Sequence, residues 1–162
     1  MKKIIFFFFL GFILHQSAGA QETAKSVYFE LGGPGLASFN FDTRFSKKEN
    51  GIGGRIGFGG FYVDGEGAVF LPIGINYLIG KETKHYFELG AGVTPVFVTD
   101  AVDAENFTET FGHILFGYRL QPPKSGFTFR AFISPVFGDG YFIPYFGGVS
   151  FGYKFGNNNK KE

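Results

Sequence analysis

The chain has 162 residues with 26 glycines, 25 phenylalanines, no cysteine and a formal net charge of +1. The lack of cysteine excludes disulfides and thiolate metal sites, and the near-neutral charge gives no basic excess that would favour nucleic acid as a partner. Glycine and phenylalanine exceed ordinary usage without low-complexity repetition, which indicates many short, tightly packed strands rather than disorder.

The first twenty residues have the organisation of a secretory signal peptide. Lys2 and Lys3 precede an apolar run over residues 4–14, and Ala18-Gly19-Ala20 forms an A-x-A cleavage site. The run is too short for a membrane-spanning helix, and no other apolar run reaches about 18 residues. We therefore expect cleavage after residue 20 (signal peptide 1–20) and an exported mature chain that can cross a membrane only as strands.

The mature sequence alternates between apolar and polar residues with a period of two. Successive side chains of a strand face opposite sides, so each segment has one apolar face and one face of glycines, polar groups and charges. Because the apolar face is long and aromatic-rich in every segment, the pattern predicts an all-β fold, a closed up-and-down antiparallel transmembrane β-barrel over residues 21–155, with lipid outside. A polar C-terminal tail follows at 156–162. The eight predicted strands are at about 26–32, 35–45, 51–63, 68–80, 85–98, 107–121, 127–137 and 141–155.

The turns between these strands alternate in character. Those at 46–50, 81–84 and 121–126 are short and carry lysine, whereas the others are glycine-rich or acidic. Every second turn of a meander lies at the same end, so both termini lie at the lysine-turn end, which is periplasmic in bacterial barrels. The alternation from Val27 to Phe45 fits either one strand or two. An even count allows antiparallel closure, so we place a turn at Gly33-Pro34-Gly35.

The first and last strands resemble those of the small outer-membrane β-barrel proteins of Gram-negative bacteria. The segments are residues 26–33 (SVYFELGG) and 148–155 (GVSFGYKF), and the resemblance covers nearly the whole mature chain. It implies an outer-membrane location, contact with outer-membrane lipid, and insertion by the barrel-assembly machinery. In such proteins the machinery reads a terminal strand that ends in an aromatic residue, the position of Phe155. Many relatives stop there, whereas this chain continues to residue 162.

Ionic residues on the polar face gather toward the lysine-turn end of the strands. An eight-stranded barrel is just wide enough for side chains to fill, and charges buried there must pair. We therefore predict a structural plug in which Glu88 is the main acid. A gated ion path is the alternative, and it requires a wider lumen. The predicted lumen residues are Glu30, Asp42, Arg44, Arg55, Glu88, Arg119, Arg130 and Lys154.

The opposite half of the lumen is predicted to be apolar, and five prolines map to the same end. Proline cannot donate to a strand ladder, so clustered prolines would weaken the rim. The pattern resembles lipid-A palmitoyltransferase barrels and hydrophobic-solute barrels, which implies lateral binding or transport of a hydrophobic small molecule; strand-ending prolines and phenylalanine packing are the simpler alternative. The apolar residues are Phe70, Val96, Phe111, Leu115, Phe132, Val136, Phe142 and Phe146, and the prolines are Pro34, Pro72, Pro95, Pro135 and Pro144.

Enzymatic chemistry has little support in the sequence. His113 is predicted to point inward and could act with Ser134 or Ser150 in a hydrolase or acyltransferase, but such groups are recognised by geometry rather than spacing. The acids at 100, 103 and 105 could bind a divalent cation, although loop acids are more often simply solvated. We expect no cofactor and no metal. The sequence therefore predicts a small structural or interaction barrel that is not an enzyme.

Overall fold

The computed structural model describes residues 23–63, 66–81, 84–100 and 106–155. The predicted signal peptide and C-terminal tail lie outside these residues, as do the acids Asp103 and Glu105. No helix among the described residues is long and apolar enough to span a membrane. The strands are β1 (Lys25–Gly32), β2 (Ala37–Arg44), β3 (Gly51–Val63), β4 (Glu66–Phe70), β5 (Ile73–Ile79), β6 (His85–Asp100), β7 (Asn106–Leu120), β8 (Gly126–Ile133), β9 (Val136–Gly138), β10 (Tyr141–Ile143) and β11 (Gly147–Phe155).

These segments form eight barrel strands. β4 and β5 both pair with β3 and β6 in one continuous register, interrupted only at residues 71–72. β8 and β9 likewise both pair with β7 and are interrupted at 134–135. A proline lies in each interruption, where its missing N–H ends the regular ladder. β11 pairs with β1 and closes the sheet, so the predicted eight-stranded antiparallel barrel is confirmed.

The outward and inward faces of the barrel follow the alternation of the sequence. On β5, Ile73, Ile75 and Tyr77 are exposed, whereas Asn76 and Leu78 are buried. The largest fully buried side chains include three arginines and a lysine, while the exposed apolar residues are mostly phenylalanine, isoleucine, tyrosine and valine. An apolar exterior around a charged interior is the reverse of a soluble protein and is typical of a barrel that spans a membrane.

The turn between β1 and β2 is folded into the barrel. Both strands have only 8 residues, whereas β6 has 16 and β7 has 15. The connection is a 3-10 turn at Gly33–Gly35, which we call the outer turn; all three of its residues are buried. Gly33 has φ of +68°, a conformation that favours glycine. The predicted split of residues 26–45 into two strands is thus confirmed, and the longer strands rise past the outer turn.

A β-bulge separates β10 from β11. Ile133 pairs with Gly147, and Val136 pairs with Ile143. Two residues separate Ile133 from Val136, whereas three separate Ile143 from Gly147, so the segment from β10 to β11 contains one extra residue. One extra residue reverses the faces beyond it. Phe142 therefore pairs with the outward Phe137 and is 63% exposed. The expectation that Phe142 points into the lumen is wrong for this reason.

Candidate functional site: the barrel lumen

Asp42 is the centre of the ionic network in the lumen. Its Oδ1 lies 3.0 Å from Arg44 Nη2 and 2.8 Å from Arg119 Nη2, and its Oδ2 lies 3.3 Å from Arg130 Nη2. Asn76 Nδ2 donates to Oδ2 at 2.6 Å, and Asn76 Oδ1 accepts a hydrogen bond from Arg44. One buried carboxylate thus holds three guanidinium groups from three strands, an arrangement in which each charge has a nearby partner.

Glu88 has a smaller share of these contacts than the sequence predicted. Its Oε1 lies 3.4 Å from Arg119 Nη1 and its Oε2 lies 3.5 Å from Arg130 Nε. Asp42, and not Glu88, is the main acid, because three arginines converge on it at shorter distances. Its neighbour on β1 is the short residue Ser26. Arg119 Nη2 also lies 3.4 Å from Ser26 Oγ. Arg119 and Arg130 therefore bridge Asp42 on β2 and Glu88 on β6.

A second ion pair lies toward the outer turn. Arg55 Nη2 is 2.8 Å from Glu30 Oε1 and 3.2 Å from Asn40 Oδ1. The ring of Tyr28 connects this pair to the Asp42 network, because the guanidinium of Arg130 lies 3.9 Å from its centroid and that of Arg55 lies 5.9 Å away. We use the name ionic cluster for Glu30, Asp42, Arg44, Arg55, Glu88, Arg119 and Arg130.

Three polar members of this network were missed by the sequence analysis: Tyr28, Asn40 and Asn76. Each lies on the inward parity of its strand and is buried. That parity is the signal that could have identified them. Charged residues alone do not complete the network, because buried arginines also need neutral acceptors and aromatic faces for their several donors.

Lys154 makes a separate set of contacts at the end that carries the termini. Its Nζ lies 2.5 Å from Glu49 Oε2 and donates to the carbonyls of Pro122 and Pro123 at 2.8 and 3.0 Å. Gln121 Nε2 also donates to Glu49 Oε2, at 3.1 Å. Residues of two turns therefore contact the inward Lys154 at this end. Lys154 is inward as predicted, but its acidic partner comes from a turn and not from a strand.

The apolar half of the lumen is filled in part by the outer turn. Ala68, Phe70 and Val96 form a buried cluster against which Leu36 and Phe111 pack. A Cβ added to Gly33 would press against the ring of Phe132, so the turn and that ring are in close contact. The remaining predicted pocket residues Leu115, Phe132 and Val136 are buried, and Phe146 is half-buried.

The prolines form two separate pairs rather than one continuous rim. The N–H of Leu71, beside Pro72, donates to the carbonyl of Pro95 at 3.0 Å. On another part of the wall, Pro135 and Pro144 flank the bulge. The carbonyls of Pro72 and Pro135 accept hydrogen bonds from Gly57 and Ile114 at 2.8 and 3.0 Å. Pro34 is buried in the outer turn. Single backbone hydrogen bonds therefore still join neighbouring strands at the breaks at Pro72 and Pro135.

His113 is placed in the lumen without a catalytic partner among the residues that the structure describes. Its Nδ1 lies 3.4 Å from Thr94 Oγ1, and Ser134 Oγ has no hydrogen-bond partner. Ser150 lies opposite Glu30 on β1 and Arg130 on β8. Within the described ranges, no group of three or more histidine, cysteine or acidic residues could hold a metal ion.

The chain is similar to known proteins in structure and not in sequence. No family of proteins matches the sequence, and no curated protein does. The N-terminal β-barrel domain of Pseudomonas aeruginosa OprF is similar with a TM-score of 0.61 and 11% identity, over 85% of this chain and 99% of that one. Neisserial surface protein A is similar with a TM-score of 0.53 and 10% identity, over 83% and 95% of the two chains. The chain therefore has the fold of the small eight-stranded outer-membrane β-barrels.

Proposed function

We propose that this protein is an outer-membrane barrel with a structural or interaction role and a lumen closed by its ionic cluster. The observation that carries the proposal is the set of contacts from Asp42 to Arg44, Arg119 and Arg130, which occupies the lumen between opposite walls. The interior of an eight-stranded barrel is narrow enough for side chains to fill. The membrane location is supported by the apolar exterior and by the fold shared with the OprF domain.

The energetics of the cluster argue against a steady open pore. Opening the lumen would separate Arg119 and Arg130 from both Asp42 and Glu88 while leaving the charges in a confined interior. Loss of one partner from a buried pair typically costs about 3–5 kcal/mol. A closed lumen is therefore the favoured state.

Planar-bilayer recording tests this closed state. The purified wild type should show a flat baseline with no steady large conductance. The Asp42→Ala variant should show transient openings, because it removes the shared partner of three arginines. Phe116→Ala, on the outward face of β7, is the control and should behave as the wild type. Well-resolved porin-sized steps from the wild type would contradict the proposal.

The interaction role is supported by the hairpin of β3 and β4, which extends beyond the outer turn. Phe61, Tyr62 and Val63 at its tip are all exposed. Aromatic side chains are enriched in protein interfaces. Because the chain has no cysteine, a Tyr62→Cys variant can be labelled on intact cells with a membrane-impermeant thiol reagent. We expect labelling of Tyr62→Cys, and labelling of Lys47→Cys only after the outer membrane is permeabilised. The reverse pattern would place the hairpin in the periplasm.

We further propose that the barrel-assembly machinery inserts the chain and reads Phe155. This residue ends β11, faces outward and pairs with Lys25 of β1 at the barrel seam. Phe155→Ala should lower the amount of folded protein in the outer membrane, while Phe127→Ala, another outward aromatic near the same end, should not. Equal levels of the two variants would argue against an assembly signal at this position.

A further inference from the structure

An open groove lies on the outer wall of the barrel, across β11, β1, β2 and β3. Its volume is about 780 Å³, which is within the range of ligand sites in proteins. Its lining is almost entirely apolar. The outward side chains that shape it are Val27, Phe39, Phe41, Phe58 and Tyr153.

The groove arises from a small residue between large ones. Val27 of β1 faces Phe41 of β2 on one side and Tyr153 of β11 on the other. The valine therefore forms a floor, and the two rings form the sides. Phe39 and Phe58 lie closer to the end that carries the outer turn, and both are strongly exposed, which deepens the groove toward that end.

A polar foot lies directly below the groove, at the end that carries the termini. Lys25 is two residues before Val27 and therefore on the same outward face, with Thr43 as its neighbour on β2. Thr23 Oγ1 lies 3.4 Å from Thr43 Oγ1. Among the described residues, Lys25 forms no salt bridge. The polar foot of the groove therefore consists of the cation of Lys25 and the hydroxyl groups of Thr23 and Thr43.

We propose that this groove and its polar foot form a binding site for one anionic phospholipid. An acyl chain would lie along the floor at Val27, and the phosphate would be held by Lys25 with Thr23 and Thr43. The inference goes beyond the proposed function but rests on its membrane location. Tyr153 beside the foot fits this picture, because tyrosine is enriched at the level of the lipid headgroups.

Charge complementarity favours a phospholipid over a second copy of the chain. A symmetric dimer through this wall would bring two copies of Lys25 toward each other, and the described residues of the wall offer no acidic group to pair with them. A lipid phosphate supplies that negative charge. One basic residue near an anionic lipid surface contributes enough to shift a binding constant about fivefold.

Fluorescence quenching by brominated lipids measures which lipid is preferred at a chosen point on the outer wall of the barrel. The chain has no tryptophan, so each probe is unique. Phe41→Trp places a probe at the side of the groove, and Phe116→Trp places a matched probe on a distant part of the wall. Each full-length variant is refolded into phosphatidylcholine vesicles that contain increasing amounts of phosphatidylglycerol with brominated acyl chains.

We expect phosphatidylglycerol to be preferred over phosphatidylcholine about fivefold at Phe41→Trp and not at all at Phe116→Trp. In the Phe41→Trp background, Lys25→Gln should remove the preference and Lys25→Arg should retain it. Equal preferences at the two probes, or a preference that survives Lys25→Gln, would overturn the site. Protection of Phe41→Trp from every lipid at high protein-to-lipid ratio would overturn it in favour of a second copy.

The same probes separate this inference from the proposed membrane location. Quenching of Phe116→Trp by brominated phosphatidylcholine reports that the barrel is inserted in the bilayer. If that quenching is absent, the membrane location itself fails. If it is present and Phe41→Trp shows no preference, the barrel stands as proposed and the lipid site is overturned.

Discussion

Arg119 on β7 reaches across the barrel to Asp42 on β2, where its Nη2 lies 2.8 Å from Oδ1 of the carboxylate. Both side chains are 1% exposed. The two strands are not neighbours in the sheet, so this contact joins separate parts of the wall without any backbone pairing. The proposed closure of the lumen therefore predicts that this contact matters for stability.

Removing the Asp42 carboxylate should cost more stability than removing the Glu88 carboxylate. Asp42→Ala leaves Arg44, Arg119 and Arg130 without their shared partner, and loss of one partner from a buried pair typically costs about 3–5 kcal/mol. Glu88→Ala should cost less, because both of its arginines keep Asp42. Urea unfolding of vesicle-inserted protein measures the two free energies. Equal costs, or a larger cost at Glu88, would show that Asp42 is not the centre of the ionic network.

An arginine on the outward face of β5 should lower the free energy of unfolding by an amount that depends on its depth in the bilayer. Ile73→Arg should destabilise the barrel by about 2–4 kcal/mol if residue 73 lies near the middle of the bilayer. Ile79→Arg lies on the same face and strand but near its end, where the cost falls to about 0–1 kcal/mol. The same unfolding assay compares them. Two equally small costs would mean that β5 does not face lipid.

Gly33 in the outer turn and Gly140 between β9 and β10 give a matched pair of glycine substitutions. Gly33 and Gly140 have φ of +68° and +75°, so an alanine at either position meets a similar backbone strain of about 1–3 kcal/mol. Only at Gly33 would the new Cβ also press on Phe132 and Glu30, since nothing lies within 4 Å at Gly140. Gly33→Ala should therefore be the more destabilising. Similar unfolding free energies for the two variants would mean that the turn does not pack in the lumen.

The bulge before β11 predicts opposite effects on folding for arginine substitutions at Phe142 and Phe132. The sequence pattern had placed both side chains in the apolar half of the lumen. Phe142→Arg should be tolerated, because residue 142 is exposed near the strand end. Phe132→Arg should impair folding, because it forces a charge among buried apolar groups and against Gly33. The heat-dependent shift of the folded barrel on a gel reports the outcome. Failure of Phe142→Arg to fold would indicate that the side chain is inward after all.

The alternation of the sequence was sufficient to predict the barrel and the direction of most side chains. Those properties depend on local geometry, since a strand places neighbouring residues on opposite faces whatever it pairs with. Asn76 and Ile75 could therefore be assigned to opposite faces without a structure. The inward position of the arginines followed in the same way, whereas the split at Gly33–Gly35 was predicted from the need for an even strand count.

Only the tertiary structure decided which of these residues meet. Asp42 rather than Glu88 is the centre of the ionic network because contacts across a lumen depend on the stagger of distant strands. Phe142 faces outward because the register of β9 with β10 differs by one residue from that of β8 with β11. Strand alternation is a local property of the chain, whereas stagger and bulges arise only when strands pair, and the partners of the buried charges are determined there.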